Sequence, residues 1–148
     1  MNIATISTNV QAILDNLAWT NTVLPHPPAK NTDFNGYPSI AHYYQNTDSN
    51  YATVTQNRRT IEYVVELYLV TNEATTVAQE FAEMYTHTDN LIQTLDESID
   101  LSSTALGLAR ACDIMRPVPG ELARITTNEG EGLMMTLRIL CTADVSFR

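Results

Sequence analysis

Residues 58–70 read RRTIEYVVELYLV, and their alternation decides the fold. Ile61, Tyr63, Val65, Leu67 and Leu69 fall on every second position, between Glu62, Val64, Glu66, Tyr68 and Val70. Strand side chains point alternately to opposite faces. The spacing therefore predicts one face committed to a core and a second that keeps Glu62 and Glu66 in solvent beside apolar Val64, Tyr68 and Val70. At about 3.3 Å per residue the stretch spans roughly 43 Å, longer than a small domain needs to cover its own core. One end is expected to project toward a neighbour.

Working outward toward the amino terminus, Tyr37–Tyr44 (YPSIAHYY) reads as a strand that starts at a tolerated Pro38 and pairs antiparallel with the long one. Gln45–Asn57 between them is polar and rich in turn formers, and reads as a linker. Leu24–Gly36 (LPHPPAKNTDFNG) holds three prolines among Asn, Asp and Gly, which sustain neither regular ladder, so it is expected to be a loop or extended arm. Before it, Ile6, Val10, Ile13, Leu14 and Leu17 keep a helical stripe, predicting a short helix over Ser7–Ala18 capped by Thr5 or Ser7.

Toward the carboxyl end a second stripe runs through Ala74, Val77, Ala78, Phe81, Met84, Tyr85, Leu91, Ile92, Leu95 and Ile99. That predicts a helix of roughly 25 residues, about 37 Å long, lying across the sheet. Leu108–Met115 then reads as a strand, Pro117–Gly120 (PVPG) as a turn and Glu121–Thr127 as a short strand. Asn128–Gly132 closes a further turn before a final strand, Leu133–Phe147. Pairing of Ala111–Met115 back onto that strand would bring Cys112 near Cys141. The sum is an α+β fold, an antiparallel or mixed sheet of about four to five strands packed by one long and one short helix, in a single domain over residues 1–148.

The 148 residues are 44% hydrophobic and 17% charged, enough for one core without metal or disulfide support. Seventeen acidic residues against eight basic ones give a net charge of -9, with Lys30 the only lysine and Arg58–Arg59 the only adjacent basic pair. This argues against general nucleic-acid binding or a polybasic membrane patch, which need clustered Lys and Arg. An acidic wall can still face DNA by repelling it, so that it slides without sticking. Cys112 and Cys141 are too sparse for a disulfide framework and suit a reduced compartment. The first residues lack the pattern of a secretory signal, and no apolar run approaches the roughly 20 residues of a membrane span.

No constellation in the chain carries chemistry. His26, His42 and His87 lie on a loop, a strand and a helix without metal-ligand spacing and read as surface or structural. Cys112 sits in LARACDIM, the surroundings of a buried strand rather than a nucleophile. Asp96, Glu97 and Asp100 crowd a helix end, but no calcium-binding loop follows, and a solvated acidic face accounts for them. Met134 and Met135 read as gap-filling core, and Gly130 and Gly132 as turn residues. Trp19 and the tyrosines read as packing and subunit contact, given the charge balance.

The order of short helix, proline loop, YPSI strand, Arg-led long strand, long helix and terminal strands resembles, along the whole chain, the tail terminator proteins of long-tailed bacteriophages. The resemblance is carried by Gly36–Ile40 (GYPSI), by the alternating positions of Arg58–Leu69, by the Ala-rich helix start at Ala74–Ala82 and by the closing strand around Thr136–Ile139. The long Gln45–Asn57 linker and the PVPG element depart from the pattern. The resemblance implies a structural virion protein and not an enzyme: a homo-oligomeric ring, commonly a hexamer, at the head-proximal end of the tail. That ring caps tail tube polymerisation and joins the tail to the head connector.

Its implied partners are other copies of itself, the tail tube protein and head connector proteins. DNA passes through the lumen without specific binding. Assembly is expected in the host cytoplasm, with no cofactor, metal or membrane. A ring needs heterologous contacts, one patch meeting a different patch on the next subunit. These are expected at the projecting strand end, Arg58 and Arg59, and on the proline loop, at Pro25, Pro27, Pro28 and Phe34. Glu62 and Glu66 are expected to face the lumen. The alternative from another class is a small-molecule-binding or regulatory α+β domain, which predicts a monomer or dimer with an apolar cavity. An enzyme would need a cleft the sequence does not advertise, and a tail tube subunit would polymerise without stopping.

Overall fold

The computed structural model describes residues 1–29, 34–51, 56–70, 76–127 and 130–146. In chain order the elements are α1 (Ile3–Asp15), β1 (Val23–Leu24), β2 (Ser39–Tyr51), β3 (Gln56–Val70), α2 (Val77–Asp96), β4 (Ile114–Thr127) and β5 (Gly130–Ser146). The strands form one mixed five-stranded sheet in the order β1-β2-β3-β5-β4, so the fold is α+β, with one long and one short helix. The long strand read from the sequence is β3. It pairs antiparallel with β2 on one edge and with β5 on the other, from Asn57 to Tyr68 on both sides.

Ile61, Tyr63, Val65, Leu67 and Leu69 are all buried, and both helices pack on their side of the sheet. Ile6, Val10, Ile13 and Leu14 of α1 and Met84, Leu91 and Leu95 of α2 complete this core with Leu133, Leu137, Ile139 and Cys141 of β5.

Both helices start elsewhere than the stripe alone predicts. α1 begins about a turn earlier than Ser7, because Asn2 rather than Thr5 or Ser7 is the cap: its side-chain oxygen accepts from the Thr5 N–H at 2.7 Å. It stops at Asp15, and Leu17 packs on the core from beyond its end. α2 begins at Val77 behind a capping box in which Thr76 and Gln79 satisfy each other's backbone N–H groups. It ends at Asp96, leaving Ile99 outside the helix and 58% exposed; Val77 and Tyr85 are also exposed, so the buried stripe is narrower than the apolar one. Ala74 lies outside the described residues.

Two segments expected to be irregular are strand. β2 runs on through Gln45–Tyr51, pairing residue by residue with β3 as far as Asn57, with a bulge at Gln45. Gln45, Asn46, Asp48, Ser49 and Asn50 are exposed, so their polarity suits a ribbon solvated on its faces while the ladder satisfies the backbone. Residues 52–55 lie outside the described part. Pro117–Gly120 is likewise no turn: it lies within β4, an edge strand, where a residue without an N–H is tolerated. The register shift between Pro119 and Leu122 absorbs its irregularity. The strand expected from Leu108 begins only at Ile114, with Leu108 making an isolated bridge to Ser103. β1 was not legible from sequence; its two residues run parallel to Ile40 and Ala41. The final strand begins at Gly130, not Leu133, so Gly130–Gly132, expected in a turn, are strand; among the described residues it ends at Ser146, and residues 128–129 and Phe147 lie outside them.

Gly132 shows how closely β3 and β5 approach. It pairs with Val70, and a Cβ there would overlap the Leu69 carbonyl oxygen and lie 3.0 Å from a Val70 methyl. Gly132→Ala is therefore expected to lower stability by about 1–3 kcal/mol, read as a drop in the urea midpoint without a change in slope.

Candidate functional site

The helices leave one face of the sheet without a helical cover among the described residues. β3 presents Arg58, Thr60, Glu62, Val64, Glu66, Tyr68 and Val70 to it, because these alternate with the buried set. Register places Asp144, Thr142, Leu140, Arg138, Thr136 and Met134 of β5 directly beside them. Three zones follow along this face.

At the projecting end Arg58 forms an ion pair with Asp144 at 3.0 Å, both groups exposed, and the Thr60 and Thr142 hydroxyls meet at 3.4 Å. Pairing with Asp144 holds the Arg58 guanidinium above its ordinary range and the Asp144 carboxyl below its own. Arg59 points to the opposite face, against a cavity of about 390 Å³ lined by Thr47, Ser49, Asn2, Ile3 and Ile61. In the middle Glu62 accepts from Arg138 at 3.0 Å.

Glu66 departs from expectation. It is 9% exposed rather than solvated, and it accepts hydrogen bonds from the Tyr43 and Tyr68 hydroxyls. Burial first, then that bond and the carboxylate's charge, push the Tyr43 phenol up to about 12, and burial and Glu66 raise Tyr68 as well. Two phenols from neighbouring strands thus satisfy a carboxylate that the alternation alone assigns to solvent. Nothing in a single strand's spacing signals this, because Tyr43 comes from β2.

At the third zone the proline loop folds back on the sheet. Phe34, 8% exposed, packs on Tyr68 with ring centroids 5.1 Å apart and on Tyr37 at 5.8 Å. With Pro28, Ile125 and Met134 they line a cavity of about 270 Å³. Pro25 and Pro27 are exposed; residues 30–33 of the loop lie outside the described part. The residues expected at subunit contacts therefore form two separate groups. Arg58 and Arg59 sit at one end of β3, and Phe34 sits beside Tyr68, ten residues and roughly 33 Å along it.

The remaining candidates are structural. His42 is fully buried between α1 and β3: its Nε2–H donates to Gln11 Oε1 at 2.5 Å, and its Nδ1 accepts from the Tyr63 hydroxyl at 2.6 Å. Gln11 passes the chain on to the Val23 carbonyl at 3.1 Å. His87 stacks on Trp19 at 4.4 Å, and the Trp19 indole N–H donates to Asn90 at 2.6 Å. Asp100 closes a local turn by accepting from the backbone and hydroxyl of Ser102, which holds its carboxyl below the ordinary range. Met134 lines the aromatic cavity and Met135 packs against the core. Among the described residues no group of three or more His, Cys, Asp or Glu is placed to hold a metal ion, and no helix is long and apolar enough to cross a membrane.

No protein-family model matches the chain, and no curated protein matches it in sequence.

Burial lowers the His42 imidazole from 6.5 to about 4, with His26 acting in the same direction. The unfolded chain then binds the extra proton between those values. The His42 contribution is complete above pH 6.5 and is lost as the pH falls toward 4, by up to roughly 3 kcal/mol. Urea unfolding of the natural chain and of His42→Gln across pH 7 to 4 checks this: the difference between the two should shrink as the pH drops.

Proposed function

We propose that this chain is a ring-forming structural subunit of a long-tailed phage, a tail terminator at the head-proximal end of the tail. There it caps tail tube polymerisation and meets the head connector. The observation that carries the reading is the length of the sheet. β2, β3 and β5 run on together past the last core residues, as a ribbon whose Asp48, Asn50, Arg58 and Asp144 side chains are exposed. Asn57 and Ala143 are still buried on the other face of this end, so it is the exposed face and tip of the ribbon that are left for a neighbouring subunit. The element order that resembles tail terminators supports the same conclusion.

The contacts proposed between subunits are the ribbon end around Arg58 and Arg59 on one side and the loop surface around Pro25 and Pro27 on the other. Their wide separation suits a heterologous contact, in which two different patches meet. Pro28 and Phe34 act from beneath, by holding that loop on Tyr68. The lumen, through which DNA passes without specific binding, is the part of the proposal that the acidic balance supports. Glu62 remains its candidate from β3, with Arg138 as its partner. Glu66 is spent on two tyrosines. The exposed Glu83, Asp89 and Asp96 of α2, a helix without Lys or Arg, offer a second acidic wall.

The aromatic cavity favours a second reading, a small-molecule-binding domain, although its volume of about 270 Å³ lies at the small end for such sites.

Light scattering and negative-stain imaging of the purified chain, alone and with its polymerising tail tube protein, separate the two. Closed rings, or rings only at tube ends with growth arrested, are expected. A monomer or dimer that ignores tubes would transfer the case to the ligand-binding domain. Arg58→Glu, which sets like charges beside Asp144, is expected to weaken tube capping by roughly tenfold or more while moving the thermal midpoint little.

A further inference from the structure

β4 is the outermost strand of the sheet, and among the described residues no strand pairs with its far edge. Which of its backbone groups reach that edge follows from three residues. The Met115 N–H donates at 2.5 Å to the carbonyl of Ile99, in the connection from α2, and so points away from β5. Pro117 and Pro119 share that direction, because backbone groups alternate along a strand, and they have no N–H to offer. This part of the edge is thus closed, at one position by Ile99 and at two by proline, which is how sheet edges are commonly protected.

Beyond the register shift the edge opens. Met115, Pro117 and Pro119 lie opposite Cys141, Ile139 and Leu137, and β5 runs against β3 without a shift, so its alternation continues through Met135, Leu133 and Glu131. The residues opposite those three are Leu122, Arg124 and Thr126. Their N–H and C=O groups therefore face outward, while those of Ala123 and Ile125 face β5. α2 flanks this stretch on the core side. Arg124 holds its guanidinium 5.9 Å from the centre of the Phe81 ring, and Tyr85, 55% exposed, meets Phe81 edge-on at 6.0 Å. Among the described residues Arg124 has no ion-pair partner.

We propose that Leu122–Thr126 is a docking edge, which takes a short extended segment of another protein as a sixth strand, bonded to the outward groups and carrying an acidic side chain against Arg124. Three features choose this occupant. The open stretch spans about 16 Å at the rise of a strand, which suits a peptide of similar length and not the whole of a 13-residue β2 from a second copy. Antiparallel self-pairing centred on Arg124 would set two guanidinium groups opposite each other, which is unfavourable. A main-chain ladder tolerates most sequences, whereas an unpaired guanidinium beside two exposed aromatic rings selects an acid with apolar neighbours. The inference is independent of whether the chain forms rings.

Amide hydrogen exchange of the full chain, read residue by residue, tests this with two probes: the blocked peptide Ser-Val-Glu-Val-Thr and the same peptide with lysine in place of glutamate. In the free chain the Leu122, Arg124 and Thr126 amides are expected to exchange fast and those of Ala123 and Ile125 slowly. Millimolar acidic peptide should slow the first three by about tenfold or more and leave the other two unchanged, and the lysine peptide should bind roughly threefold or more weakly. Thr126→Pro removes one outward donor while sparing the ladder to β5, as Pro117 and Pro119 do, and should abolish the protection. Arg124→Glu keeps every backbone donor and should reverse the preference between the peptides. Outward amides that stay fast with both peptides would overturn the proposal. Protection of the same three amides that rises with protein concentration alone would overturn it too, by giving the edge to a second copy.

Discussion

Everything in this molecule hangs on β3, which is hydrogen-bonded along both edges while, among the described residues, helices cover only one of its faces. The ladder to β2 and β5 satisfies its backbone almost from end to end, so the strand can be longer than the core beneath it without leaving polar groups unpaired. Apolar burial fixes where the helices sit. Backbone pairing, and not burial, carries the sheet onward into the polar ribbon. The same division explains why the two faces of one strand have such different chemistry.

Polar groups then lock the helical layer to that sheet. Gln11, His42 and Tyr63 link α1 to β1, β2 and β3 through bonds buried on the helix side. Asn9, also buried, donates to the carbonyls of Leu101 and Ala109 and so ties α1 to the connection between α2 and β4. Apolar contact alone would let a helix slide along a sheet of Ile, Val and Leu. Each of these amides and rings has its partner at one position only, which fixes the register of the layers.

The open face follows a different economy. Two ion pairs cross its strands, Arg58 with Asp144 and Glu62 with Arg138, and its buried carboxylate, Glu66, is satisfied by tyrosines. The loop of prolines lays Phe34 over Tyr68 at one end, and the exposed Arg58–Asp144 pair marks the other. The two ends of the face therefore differ, which is what the proposed ring would require of its subunit, one patch meeting a different one.

Period-two alternation in Arg58–Val70 and the helical stripes around Ile6–Leu14 and Met84–Leu95 determined by themselves the α+β class, the core face of the central strand and the two helices that cover it. Solvent drives that choice, and a buried face leaves a periodic trace in one segment. Other features needed a partner from elsewhere in the chain. Gln45–Asn50 looks like a linker until β3 supplies its ladder, and Pro117–Gly120 looks like a turn until an edge position makes its missing N–H harmless. Glu66 looks solvated until Tyr43 and Tyr68 close over it. Tertiary structure decided these because hydrogen bonds between distant residues leave no period in either segment alone.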